Sequence, residues 1–324
     1  MGKSSILVLE KSRLRAAAAA FILLEPPVIP ALTRLMESHP PLTRPARFPW
    51  LGRLLRFVVV VTVIPLGLMV GCQGNLIYFP RAYPAGVVAR WQQQSGGKLI
   101  DFKTSQGRQR AFLQGNLTSA RRLWIVCGGN GTVALDWSDW LASHAPKEDA
   151  WLLVDFPGYG DCQGSPNPAR IRESFTTGLP VAFAALGWEN PPEAGRLRFF
   201  GHSLGAAACL IAATEFKIQR GVLLAPFTST MDMSRALTGL PLGFLVWHRY
   251  DNAARLAELS ARGPGKVIIL HGTRDEVIPV AMSRTLAAQQ QGTVRLREIP
   301  DGRHNTIQAR EPEALAKALS DAGN

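Results

Sequence analysis

Three side chains could do covalent chemistry together: Ser203, Asp275 and His304, in that chain order. A serine hydroxyl is a weak nucleophile until a base takes its proton, and a third group must hold that base in one tautomer. Ser203 is central to Gly201-His202-Ser203-Leu204-Gly205, which lies between the run Arg196 to Phe200 and the alanine-rich run Ala206 to Ala213. Strand, tight turn and helix in that order are the context in which G-x-S-x-G presents a serine at a sharp elbow. The glycines allow a turn too tight for side chains, and the helix N-terminus behind the serine favours developing negative charge. Asp275 follows the apolar run Lys266 to Leu270, within His271-Gly272-Thr273-Arg274-Asp275-Glu276-Val277-Ile278-Pro279. His304 follows the run Val294 to Ile299, within Pro300-Asp301-Gly302-Arg303-His304-Asn305. Acid and base thus come after the serine in the order that a serine-histidine-acid arrangement on parallel strands requires.

Plainer roles compete for several of these residues. His304 could be an exposed loop histidine, and Asp275 could cap a helix starting near Pro279, leaving Glu276 as the acid. His202 reads as a packing and hydrogen-bonding residue of the turn, and Tyr159 and Cys162 as structural loop residues. His39, His144, His248 and His271 have no partner pattern and receive no chemistry. The four cysteines, Cys72, Cys127, Cys162 and Cys209, show no metal-ligand spacing. Cys127 and Cys209 fall in expected strand and helix and read as small buried hydrophobes, so neither a disulfide framework nor a zinc site is expected.

The elements that must position these residues alternate along the chain. Residues 98–102 and 111–114 read as an antiparallel hairpin, and 123–127, 150–155, 196–200, 221–225, 266–270 and 294–299 as further strands. Helices are expected over 169–186, 206–213, 281–291 and 311–322. Continuous apolar strands between helices predict an α/β fold with a mainly parallel central sheet of about eight strands and helices on both faces. Residues 231–265 form a short cap insertion, whose run Leu240 to Trp247 is apolar enough to wall an acyl pocket, to face lipid or to pack on the sheet. With 324 residues and 47% hydrophobic content, the chain can bury a sizeable core. The net charge of +12 is uneven: residues 1–60 carry nine Lys and Arg against three acids. No basic run with interleaved aromatics occurs in the globular part, so a nucleic-acid partner is not expected.

The N-terminus divides in two. Residues 1–52 combine an alanine run, prolines and scattered arginines without lasting periodicity and read as poorly ordered, with Met36 as an alternative start. Residues 53–75 are expected to form a signal or anchor segment. Arg53 and Arg56 precede an uncharged apolar stretch from Phe57 to Gly71, which is interrupted by Pro65 and followed by Cys72. The basic flank places the downstream chain on the non-cytoplasmic side of a membrane. Leu68-Met69-Val70-Gly71-Cys72 resembles a bacterial lipoprotein cleavage box, with Met69 where leucine is usual. A lipoprotein signal, which would place the chain in the bacterial envelope, and an uncleaved anchor both tether it to a membrane; a buried core helix is the third reading. Gln73-Gly74-Asn75 reads as a spacer and Leu76 as the start of the folded domain, 76–324.

Residues 76–324 resemble the α/β-hydrolase superfamily, and within it the membrane-tethered serine hydrolases related to the mammalian α/β-hydrolase-domain proteins. The resemblance rests on Gly201 to Gly205, His271 to Asp275 and Asp301 to His304. It rests also on Asp155-Phe156-Pro157-Gly158-Tyr159-Gly160 with Gly164 and Pro166, on Ala225 to Ser229, and on Arg249 to Asn252. It implies hydrolysis through an acyl-enzyme with Ser203 as nucleophile, His304 as base and Asp275 as its partner. It also implies an oxyanion hole from the backbone N–H of Leu204 and of Asn130, in a loop that reads Gly128-Gly129-Asn130 where the family has His-Gly-Asn. No metal or organic cofactor is implied. The expected substrate is an ester, thioester or lipid-derived acyl group; an aminopeptidase-like amide hydrolase and a non-catalytic binding protein on the same fold are the alternatives.

Overall fold

The computed structural model describes residues 49–324. Residues 1–48, with His39 and the alternative start at Met36, lie outside the described residues. The chain divides into two units between Val59 and Val60. Helix α1 comprises Pro49–Val58, a π-helical stretch Val59–Val63 and Ile64–Gly71. The widened turn immediately precedes Pro65, which lacks an N–H and crowds the carbonyl four residues back, so the π-helical stretch relieves both defects. Trp50–Leu68 is long and apolar enough to cross a membrane, and none of it is buried, which sets aside the buried-core-helix reading.

The expected spacer at 73–75 is not a spacer. Helix α2, Gln73–Ile77, starts the folded part three residues before Leu76, and Gln73 is buried. After helix α3, Val87–Ser95, the hairpin β1, Lys98–Thr104, and β2, Gly107–Gly115, opens the sheet. The succeeding elements are β3, Leu123–Cys127; α4, Ser138–His144; β4, Ala150–Val154; α5, Pro168–Ala185; and β5, Leu197–His202. Then come α6, Leu204–Glu215; β6, Arg220–Leu224; α7, Thr230–Thr238; α8, Asn252–Ala261; and β7, Lys266–Gly272. Helix α9, Val280–Gln289, strand β8, Val294–Ile299, the short α10, Ile307–Arg310, and α11, Pro312–Gly323, complete the chain.

The strands form one eight-stranded sheet in the order β1-β2-β4-β3-β5-β6-β7-β8. Pairs β1–β2 and β2–β4 are antiparallel and the rest are parallel, as the continuous apolar runs predict. Alternation within each strand feeds two cores. Leu123, Ile125 and Cys127 face α5, α6 and α8, while Trp124 and Val126 face α3, α4 and α11. The expected cap insertion at 231–265 splits. Helix α8 buries Leu256 and Leu259 completely against the sheet-side core, so only the stretch through α7 and the short 3-10 turn Leu242–Leu245 projects as an insert.

A buried carboxylate braces the loops at the sheet's carboxyl edge. Asp155, just past β4, accepts from the Tyr83 hydroxyl at 2.6 Å and from the Ala134 N–H at 2.8 Å. Burial pushes its carboxyl up from 3.8 to about 7, and Asp136 and Asp161 nearby push the same way. A raised folded-state value means that the folded protein holds a proton which the unfolded chain has lost between about pH 4 and 7. Stability should therefore fall as pH rises through that window, by up to about 4 kcal/mol, and level off above it. Urea unfolding from pH 4 to 8 should show this slope in the wild type and a flatter profile in Asp155→Asn; equal slopes would refute the assignment.

Candidate active site

Parallel strands direct their carboxyl ends to one edge of the sheet, and that edge collects Ser203, Asp275 and His304. Ser203 occupies the turn between β5 and α6 with φ of 55° and ψ of −119°. For a residue with a side chain this backbone is strained, typically by about 1–3 kcal/mol, and it persists only where its surroundings enforce it. Two close approaches supply the enforcement. A Cβ on Gly201 would meet Gly205 O at 2.5 Å, and one on Gly205 would meet Cys127 O at 2.1 Å. The flanking glycines are thus required by backbone contact, the second of them against the end of β3.

The loops carrying Asp275 and His304 follow the neighbouring strands β7 and β8 and are stitched together. Arg274 N–H donates to Gly302 O at 3.0 Å, and the Arg274 guanidinium pairs with Asp301 at 2.8 Å. Asp301 N–H also donates to the Thr273 hydroxyl at 2.9 Å. This brings His304 Nε2 to 3.0 Å from Ser203 Oγ and His304 Nδ1 to 2.8 Å from Asp275 Oδ2. Ser203 and His304 are 8% and 5% exposed, so the array is nearly dry yet reachable.

The two carboxylates left open by the sequence are placed differently. Glu276 reaches only the backbone N–H of His304, at 3.4 Å, whereas Asp275 takes the ring. Asp275 does bind its own loop, through Oδ1, from Val277 N–H at 2.9 Å and Ile278 N–H at 2.8 Å, but helix α9 begins only at Val280 after Pro279. One carboxylate oxygen shapes the loop while the other faces the imidazole. Burial alone would raise this carboxyl, but hydrogen bonds from His271, His304 and the Ile278 N–H outweigh it and hold the group ionised, below the ordinary range. An ionised carboxylate only accepts, so His304 carries its proton on Nδ1 and presents a free Nε2 lone pair to Ser203.

His271 corrects the sequence reading, which gave it no partner. It is fully buried at the end of β7, with Nε2 at 2.9 Å from Ile278 O and 3.2 Å from Asp275 Oδ2. Both neighbours are acceptors, so Nε2 bears the proton, and Nδ1 receives the Ser283 hydroxyl at 2.6 Å. The spacing His271-x-x-x-Asp275 was visible in the sequence, but nothing there shows that the loop folds back onto its own strand. His202 behaves as expected of a structural residue: its Nε2 bonds His304 O at 3.1 Å. Burial, with His304 nearby, lowers it to about 3, so it is neutral. His144 stacks on Trp140 and His248 contacts Tyr78. Among the described residues no cluster of three His, Cys, Asp or Glu side chains is placed to hold a metal.

Asn130 and Leu204 line the same cavity as Ser203. Leu204 is the first residue of α6, whose N-terminus points at the site. The Asn130 side chain is committed elsewhere: its Nδ2 donates to Ile77 O at 2.6 Å, and its Oδ1 accepts from Phe79 N–H at 3.0 Å and from the Tyr159 hydroxyl at 2.7 Å. These bonds fix the loop and leave only its backbone for a ligand. The cavity, about 410 Å³, is walled by Leu76, Ile77, Phe79, Met233, Leu237 and Leu245 among others, and no charged side chain among the described residues lines it.

The eight-stranded sheet, its strand order and the strained serine turn define the α/β-hydrolase fold. The esterase Pf2001 of Pyrococcus furiosus matches it with a TM-score of 0.58 at 15% identity, over 76% of this chain and 95% of that one. AbyA5 matches with a TM-score of 0.55 at 18% identity, over 73% of this chain and 72% of its own. An uncharacterised protein of Mycobacterium tuberculosis H37Rv is 26% identical over 278 residues, 83% of this chain and 93% of its own length. YfhR of Escherichia coli K12, also uncharacterised, is 27% identical over 55% of this chain and 60% of its own. No family model matches the chain.

The Gly205 contact yields a direct test. Gly205→Ala forces a methyl group into the backbone of Cys127 and Gly128, so it should displace the elbow and lower thermal stability by at least about 2 kcal/mol, an overpacking cost. A melting temperature within one degree of wild type would contradict the close approach.

Proposed function

We propose that the protein is a serine hydrolase that cleaves carboxylic esters or thioesters through an acyl-enzyme, with Ser203, His304 and Asp275 as its triad. The observation that carries this reading is the continuous hydrogen-bond line Ser203 Oγ, His304 Nε2, His304 Nδ1, Asp275 Oδ2, at 3.0 and 2.8 Å. Ser203 Oγ attacks the substrate carbonyl carbon as His304 Nε2 takes the hydroxyl proton. The imidazolium is stabilised by the Asp275 carboxylate and returns the proton to the leaving alcohol or thiol as the acyl bond to it breaks. Water, deprotonated in turn by His304, then releases the acid and restores Ser203. Backbone N–H groups of Leu204 and Asn130 hold the oxyanion, a contribution of about 3 kcal/mol per donor in such sites. His271 acts through Asp275, which it helps to aim. The esterase likeness in fold agrees with this reading but contributes fold alone.

The uncharged lining favours an acyl chain over the α-ammonium of a peptide, which would find no counter-ion there. The protein is tethered to a membrane through α1, or through lipid on Cys72, with the hydrolase on the non-cytoplasmic side. The exposed 19-residue stretch Trp50–Leu68, with Arg53 and Arg56 near its N-terminal end ahead of the uncharged run, supports this.

A fluorophosphonate probe should label Ser203 in folded protein, and labelling should vanish in Ser203→Ala and fall sharply in His304→Ala. Hydrolysis of a short p-nitrophenyl ester should drop on the order of 10⁴-fold in either variant. No labelling of folded wild type would leave a non-catalytic binding role in its place. His271→Ala should lower kcat about tenfold or more with KM nearly unchanged, since it reorients the acid without touching the acyl cavity. Cys72→Ser decides the mode of tethering: an unchanged mass and unchanged membrane retention would exclude lipid attachment there.

A further inference from the structure

The stretch just after the tether is built into the wall of the cavity. The Gln73 amide clasps the insert at both ends of its side chain: Nε2 donates to Leu245 O, and Oε1 accepts from Trp247 N–H at 2.8 Å. Tyr78, five residues on, bonds the Tyr250 hydroxyl at 2.9 Å and His248 Nδ1 at 3.2 Å. Between these two anchor points Leu76 and Ile77 face the cavity that holds Ser203. Helix α1 ends at Gly71, and consecutive Cα atoms lie about 3.8 Å apart, so the clasp at Gln73 is within about 8 Å of the helix end. Lipid on Cys72 would place a membrane equally close. Whichever tether operates, covalent geometry keeps the cavity mouth near the lipid surface.

The rim is apolar where water would favour polar groups. Leu76, Phe79, Leu237 and Val277 line the cavity and are also exposed. Leu240, Phe244 and Trp247 extend the apolar surface along the insert, with Phe244 63% and Trp247 74% exposed. Apolar area left in water forgoes about 25 cal/mol for each Å² that could be buried, and exposed apolar side chains gathered at a ligand site mark an interaction surface. Tryptophan at the level of lipid headgroups is a common interfacial anchor.

We infer that the insert from α7 to Trp247 docks on the same lipid surface that holds the tether, and that the substrate is an ester whose acyl chain passes from the bilayer directly into the cavity. The inference rests on the serine-hydrolase and tether readings above. The uncharged cavity takes the chain, the ester carbonyl stops at Ser203, and a polar headgroup stays outside with the water.

The test uses the full-length chain reconstituted in phosphatidylcholine vesicles. Two substrates are compared: a long-chain ester dissolved in the bilayer and a short-chain, water-soluble ester. Leu240→Glu and Phe244→Glu, which change rim residues outside the cavity lining, should lower turnover of the long-chain ester about tenfold or more while leaving the short-chain rate within twofold. Unchanged rates on both substrates, or an equal fall on both, would overturn the docking. An independent readout is quenching of tryptophan fluorescence by brominated phosphatidylcholine. The wild type should be quenched more than Trp247→Phe, whereas equal quenching, as when a second protein or a second copy covers the rim, would also overturn it. Failure of the serine-hydrolase reading is distinguishable, because it abolishes short-ester hydrolysis and probe labelling but leaves the quenching difference in place.

Discussion

Four donors converge on the buried carboxylate of Asp275, and the geometry of the site hangs on that convergence. Oδ1 is taken by two backbone N–H groups of its own loop, and Oδ2 by the rings of His271 and His304. A carboxylate so satisfied stays ionised despite burial, and because it can only accept, it dictates where both imidazoles carry their protons. The tautomer of His304, and with it the lone pair facing Ser203, is therefore set by an interaction on the far side of the ring. Ser283 extends the line by one further bond to His271, so the ordering reaches from α9 through β7 to the elbow.

The elbow is the second constraint. Ser203 sits at φ 55° because β5, α6 and the end of β3 leave no room for a relaxed turn. The strain is held by extended packing: β5 is flanked by parallel partners on both sides, and nearly all of α6 is buried. Such a device needs a rigid support, which the two cores on opposite faces of the sheet provide.

The segment from Gln73 to Phe79 joins features that are far apart in sequence. It binds the insert through Gln73, the base of the insert through Tyr78, and Asn130 through Ile77 and Phe79. Asn130 is in turn held by Tyr159, so the Gly128-Gly129-Asn130 loop, the turn after β4 and the start of the folded domain form one polar network beside the cavity. Changes at the start of the domain are thereby coupled to the loop that flanks Ser203.

Local pattern alone determined much of this protein. The continuous apolar run Leu123 to Cys127 became a strand with the expected bounds, because a strand buried on both faces leaves no polar alternation to misread. The order serine, acid, histidine was equally legible, since each residue comes after its strand by a fixed short loop. What the sequence could not decide were contacts made across elements. His271 meets Asp275 only because its loop turns back. Gln73 looks like a spacer residue until Leu245 and Trp247, over 170 positions away, come to meet its amide. The second half of the insert looks like cap until Leu256 and Leu259 find the core. Periodicity reports which face a residue is on, whereas the partner waiting on that face is set by how the whole sheet closes.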